Sequence, residues 1–118
     1  MLTQESANEE TPQGRIPRVS RLMALAIRME TLIASGRVAS YTDAARLAYV
    51  TRARMTQIMN LTRLAPDIQE AVLFLAPVLK GRDPVTERDL RPIAAELNWT
   101  KQRKLWARLI GSEQSVTH

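Results

Sequence analysis

An all-α fold, a compact bundle of five to six helices, follows from three features of this chain. Helix-forming residues abound while glycine occurs only four times. The alternation of β-branched and polar residues that marks strands is missing. Helix-opening signals of the form Ser/Thr-x-x-Asp stand ahead of apolar runs, at Ser40 with Asp43 and at Thr86 with Asp89. A length of 118 residues suits one domain with a single hydrophobic core. Residues 1–14 read as a disordered acidic tail (Glu5, Glu9 and Glu10 with no nearby base), 15–111 as the folded domain and 112–118 as a second disordered tail.

The elements can be justified in order. Pro17 breaks an N-terminal arm, and from Arg18 onward Val19, Leu22, Met23, Ala26, Met29 or Glu30, Leu32 and Ile33 recur at helical spacing until Gly36 stops the helix. Ser40 caps the next helix and Asp43 is positioned to reach back to the Ser40 amide. Ala44, Ala45, Leu47 and Ala48 give that helix a small apolar face. After Tyr49 and Val50, Thr51 caps a third helix whose Met55, Ile58, Met59 and Thr62 face inward. Pro66 suits the first turn of a fourth helix with a stripe of Ile68, Ala71, Val72 and Leu75. Pro77 and residues 81–84 make a loop, Thr86 opens a fifth helix, and Pro92 keeps that helix short or bent. Asn98 caps the last helix, on which Trp99, Gln102 or Arg103, Trp106, and Leu109 or Ile110 share one side. Two tryptophans seven residues apart on an amphipathic helix read as core anchors, and Met23, Met29, Met55 and Met59 as core fillers.

Residues 41–60 carry the functional signal. Two short helices joined by a tight turn, the second with long polar side chains on its outer face, are the layout of a DNA-binding helix-turn-helix. Val50, Met55 and Ile58 follow the small Ala45 by five, ten and thirteen positions, the offsets at which such units bury their core. One position departs from the pattern. Tyr49 stands where glycine is usual, and a left-handed backbone is strained at tyrosine, so a longer or reshaped turn is expected.

Thr51, Arg52, Met55, Gln57, Leu61, Leu64, Pro66, Ile68 and Gln69 together resemble the helix-turn-helix of the ParB/KorB family of partition proteins, with Ala65 as one extra residue before the proline. The resemblance covers about residues 38–75 and implies sequence-specific DNA binding. It does not imply partition activity, because nothing resembles the arginine-rich nucleotide-binding motif that precedes this unit in that family. The whole chain also resembles the small stand-alone proteins with this motif found beside site-specific recombinases on mobile elements.

Charge is unevenly placed. The net charge is +5, yet residues 65–97 are net acidic while residues 15–28, 37–64 and 98–110 are basic. Basic segments that include the proposed reading helix are the footprint expected of a nucleic-acid binder. Catalysis finds no support: the sole histidine is His118, cysteine is absent, and no glycine-rich phosphate loop occurs. No cofactor and no metal are expected. No stretch has the pattern of a signal peptide or the length of a membrane span, so the expected location is cytoplasmic, with the nucleoid.

The expected contacts are therefore to double-stranded DNA. Thr51 caps the reading helix and touches phosphate, while Arg52, Thr56 and Gln57 read bases. Arg54, Asn60 and Arg63 hold the DNA backbone, Tyr41 and Thr42 clamp phosphate at the start of the preceding helix, and Arg15 and Arg18 form a minor-groove arm. A homodimer is the expected binding form, because one such unit reads only a few base pairs. The alternative is a protein-interaction adaptor, which docks a recombinase or polymerase subunit through the basic last helix with Trp99 and Trp106. Exposed tryptophan rings would favour that alternative.

Overall fold

Pro17 sets the backbone at the entry to α1 (Arg18–Ala34) but supplies no side-chain cap. The cap comes from far along the chain, where Asp83 Oδ2 accepts from the Arg18 amide at 3.0 Å. In the computed structural model, which describes residues 14–116, the other helices are α2 (Tyr41–Ala48), α3 (Arg52–Met59), α4 (Pro66–Leu73), α5 (Glu87–Ala95) and α6 (Trp99–Val116). A 3-10 turn at Asn60–Arg63 extends α3. The fold is all-α, with no strand among the described residues beyond an isolated bridge between Arg15 and Val78.

Helix α1 is central: it packs on α3, on the 3-10 turn and on α4, while α2 lies on α3 and α5 joins the 3-10 turn to α6. Met23 and Ala26 of α1 meet Met55 and Ile58 of α3, Leu61, Leu64, Ile68, Val72 and Leu90 in one buried cluster. Burying each of the larger side chains stabilises by about 1.5–3 kcal/mol. Helices as short as α2, α3 and α4, at eight residues each, are marginal alone, so packing rather than propensity holds them.

Capping follows the sequence closely. Thr51 Oγ1 accepts from the Arg54 amide at 3.0 Å, and Asn98 Oδ1 from the Lys101 amide at 3.0 Å. Thr86 and Asp89 complete a reciprocal capping box. Ser40 takes only half of one: its hydroxyl accepts from the Asp43 amide at 3.2 Å, while the Asp43 carboxylate turns to Arg46 at 3.4 Å.

The turn after α2 differs from expectation. It is tight, with Tyr49 itself left-handed (φ 59°, ψ 41°). The Val50 amide donates to the Ala45 carbonyl at 3.0 Å and the Tyr49 amide to that of Arg46 at 3.3 Å, the paired bonds of a Schellman motif. Those bonds and the inward-turned Val50 offset a strain of about 1–2 kcal/mol. The ring stays out of the way, 95% exposed.

Behind α3 the backbone would be stranded without side-chain partners. Gln102 of α6 is fully buried; its Oε1 accepts from the Ala65 amide at 2.8 Å, and its Nε2 donates to the carbonyls of Arg63 at 3.1 Å and Glu96 at 2.7 Å. Gln69 donates to the carbonyls of Thr62 at 3.0 Å and Leu64 at 2.8 Å. Ser20, also buried, donates to the Val72 carbonyl at 2.7 Å and locks α1 to the end of α4.

Four further expectations need correction. Trp99 is 46% exposed and is no core anchor, whereas Trp106 packs half-buried against the core. Leu47 is exposed rather than part of the α2 packing face, which Ala44 and Ala45 provide. Helix α6 continues to Val116, so residues 112–116 are helical rather than an irregular tail. Gly14 belongs to the fold: its φ is +77°, and a Cβ there would sit 2.6 Å from the Val78 carbonyl oxygen. The remainder of the expected tails, 1–13 and 117–118, lies outside the described residues.

Gln102→Leu should lose roughly 2–4 kcal/mol in urea unfolding, since buried groups left unpaired cost about 1–3 kcal/mol each. Trp99→Ala, on a half-open surface, should lose less than about 1 kcal/mol. Tyr49→Gly should raise stability by about 0.5–1 kcal/mol, the left-handed strain less the extra freedom of glycine in the unfolded chain.

Candidate functional site

The α2–α3 pair presents its second helix outward. Met55, Ile58 and Met59 are buried, and on the other side Arg52, Gln57, Asn60 and Arg63 are exposed. Arg52 and Arg63 make no ion pair among the described residues. Thr56 is half-buried, and its hydroxyl donates back to the Arg52 carbonyl at 3.1 Å. Thr51 is exposed at the helix start with its lone pair already given to the Arg54 amide. Thr42 is exposed at the start of α2, and Tyr41 beside it packs half-buried on the core.

Two expected contact residues are committed elsewhere. Arg54 forks onto Glu87 of α5 at 2.6 and 2.8 Å and also reaches Gln57 Oε1 at 3.1 Å. It therefore fastens α3 to α5 rather than standing free for a backbone phosphate. Arg15 pairs with Asp83 and donates to the Gly81 carbonyl at 2.7 Å, while the bridge to Val78 fixes its backbone. An arm so tied is not free to trail along a groove. Arg18 stays exposed, with its amide on Asp83.

These pairs explain the acidic middle of the chain. Asp67, Asp83 and Glu87 each receive an arginine from a different basic segment: Arg103, Arg15 and Arg54. Charges segregated in sequence thus become clamps between elements. The Arg54 hydrogen bonds hold the Glu87 carboxyl below its ordinary 4.5 against partial burial, which pushes the other way. The Arg18 amide, with help from Arg15, lowers Asp83, and Arg103 lowers Asp67.

A cleft of about 250 Å³ opens between α3 with its 3-10 turn and α5. Gln57, Asn60 and Arg63 line one wall, and Arg91 with Ala94 and Ala95 the other. Sequence reading missed Arg91 in this cleft and Gln102 in the packing behind α3. Gln102 carries no signal beyond its place on the inner side of α6, and Arg91 looks like half of a solvated i,i+4 pair with Glu87, which it does form at 3.4 Å.

No group of His, Cys, Asp or Glu among the described residues is arranged to hold a metal ion. No helix of the described residues is long and apolar enough to cross a membrane. No family model, curated protein or solved structure matches the chain.

Arg54→Ala should lower stability by about 1–3 kcal/mol, because it leaves Glu87 half-buried without its main donor; Arg52→Ala should stay within about 0.5 kcal/mol of the parent. The three depressed carboxyls also set an acid limit. Each contributes stability in full above its unfolded value, 3.8 for the aspartates and 4.5 for Glu87, and loses it as pH falls through the lower folded value. Urea midpoints measured from neutral pH downward should fall below about pH 4.5, and Glu87→Gln should flatten part of that fall.

Proposed function

We propose that this protein binds double-stranded DNA sequence-specifically, with α2, the Tyr49 turn and α3 acting as a helix-turn-helix. The observation that carries the reading is the outer face of α3: Arg52, Gln57, Asn60 and Arg63 are exposed on a helix whose other side is locked into the core. Such a face suits the major groove, which admits one helix and offers acceptors to arginine and paired donor and acceptor sites to a carboxamide. Arg52 reads guanine and Gln57 reads adenine. Asn60, Arg63, Thr42 and the Thr51 hydroxyl hold the backbone, and Thr56 shapes the helix more than it reads. Tyr49, with its ring fully in solvent beside Thr51, joins this set as a contact to sugar or phosphate. Arg54 acts from behind by holding α3 at its angle to α5.

The resemblance to ParB/KorB-type units agrees with this reading, and the resemblance of the whole chain to small stand-alone proteins beside site-specific recombinases points to a regulator or accessory factor of a mobile element or plasmid. A homodimer on a two-part site would give one short reading helix enough base pairs for specificity. A second reading, docking of a recombinase or polymerase subunit, is favoured by one observation: Leu97 and Trp99 are exposed, with Lys101 and Lys104 exposed beside them.

Binding to an enriched duplex, followed by fluorescence anisotropy, should weaken with salt at a log–log slope of roughly −4 to −8 for two protomers. Gln57→Ala should lose about 1–3 kcal/mol on the preferred site and relax preference at one base pair. Arg63→Ala should weaken all sequences alike and flatten the slope by about one unit. A slope near zero contradicts DNA binding, and identical behaviour of the two variants contradicts the assigned face.

A further inference from the structure

The cleft between α3 and α5 is rich in donors. Among the described residues the Arg63 guanidinium and the Asn60 side-chain carboxamide make no hydrogen bond, and Gln57 gives Arg54 its oxygen while keeping its side-chain amide hydrogens. Arg91 is engaged by Glu87 alone, at 3.4 Å and through one nitrogen. No acid lines the cleft. Alanine at 94 and 95 keeps the recess open, where longer side chains would fill it.

We propose that this cleft binds a phosphate ester, with Arg91 and Arg63 as a guanidinium pair and Asn60 as an amide donor. Guanidinium forks match phosphate oxygens two at a time, and such charge-assisted bonds are the strong ones. Two guanidiniums beside one recess, with an amide donor between them, suit the oxygens and the negative charge of a phosphate. The volume of about 250 Å³ also exceeds a bare phosphate and leaves room for the attached sugar. Such a phosphate has two possible sources, the backbone of a bound duplex or a free nucleotide. The duplex source rests on the DNA-binding reading; the nucleotide source does not. Either way, Arg91 of α5 becomes a contact residue outside the α2–α3 pair, held in place by the same Glu87 that fastens Arg54.

The test uses the full chain with two probes: adenosine 5′-monophosphate by calorimetry and an enriched duplex by anisotropy. Three variants are compared after their melting temperatures confirm folding. Arg91→Ala removes one guanidinium. Ala95→Leu fills the recess at an exposed position without changing charge. Arg88→Ala removes an exposed arginine of the same helix that does not line the cleft. For at least one probe, Arg91→Ala and Ala95→Leu should each weaken binding about tenfold or more, and Arg88→Ala less than about twofold. Sensitivity with the duplex alone assigns the phosphate to the DNA backbone. Sensitivity with the mononucleotide while no duplex binds keeps the cleft as a nucleotide site and removes the DNA reading. If neither probe binds, if Arg91→Ala and Arg88→Ala behave alike, or if Ala95→Leu has no effect, the cleft holds no phosphate and the proposal is overturned.

Discussion

Four backbone groups at the exit of α3 constrain the rest of the molecule. The carbonyls of Thr62 and Arg63 at the end of the 3-10 turn, that of Leu64 and the amide of Ala65 lie at the passage into α4, where side chains rather than a helix ladder meet them. Leaving such groups unpaired in the interior is expensive. Two glutamines resolve this: Gln69 from α4 takes two carbonyls, and Gln102 from α6 takes the third and the amide. Gln102 also bonds the Glu96 carbonyl at the end of α5. One buried side chain therefore joins three elements, and the angle at which α3 meets solvent depends on a residue of α6. No buried side-chain polar atom among the described residues is left without a partner.

Around that joint, electrostatics divides the arginines into two classes. Those facing the acidic middle of the chain become clamps: Arg15 on Asp83, Arg54 on Glu87 and Arg103 on Asp67. Those facing away, Arg52 and Arg63 among them, meet no acid among the described residues. A surface that neutralises the first class while sparing the second concentrates positive potential on the α3 face without weakening the packing beneath it. The position of each acid, more than the number of arginines, decides which surface can meet an anion.

Local signals were legible in the sequence. Ser40, Thr51, Thr86 and Asn98 act as helix caps because hydroxyl and carboxamide oxygens at those positions satisfy the nearest free amides. The apolar spacing of Met55, Ile58 and Met59 gave the buried side of α3 correctly. Pairings across long sequence separations were not legible. Arg54 and Glu87 are 33 residues apart, and Arg15 and Asp83 are 68 apart, so both arginines read as free contact residues. Gln102 looked like one of two candidates on a helix face because burial of a carboxamide depends on backbone groups brought there by the fold. Tyr49 was misjudged because propensity disfavours the left-handed state but does not forbid it where two turn bonds and a partly buried neighbour, Val50, compensate. Trp99 was assigned by size to the core, yet it sits in the first turn of α6, too near the helix end to be covered.

The central claim is that the exposed face of α3 selects DNA sequence, and selection of bound duplexes from a random pool tests it most directly. The account predicts convergence on related half-sites whose centres lie about 10 base pairs apart or a multiple of that, as two protomers on one face of the duplex require. A pool whose composition stays at its starting distribution through successive rounds, with the protein folded throughout, would contradict it.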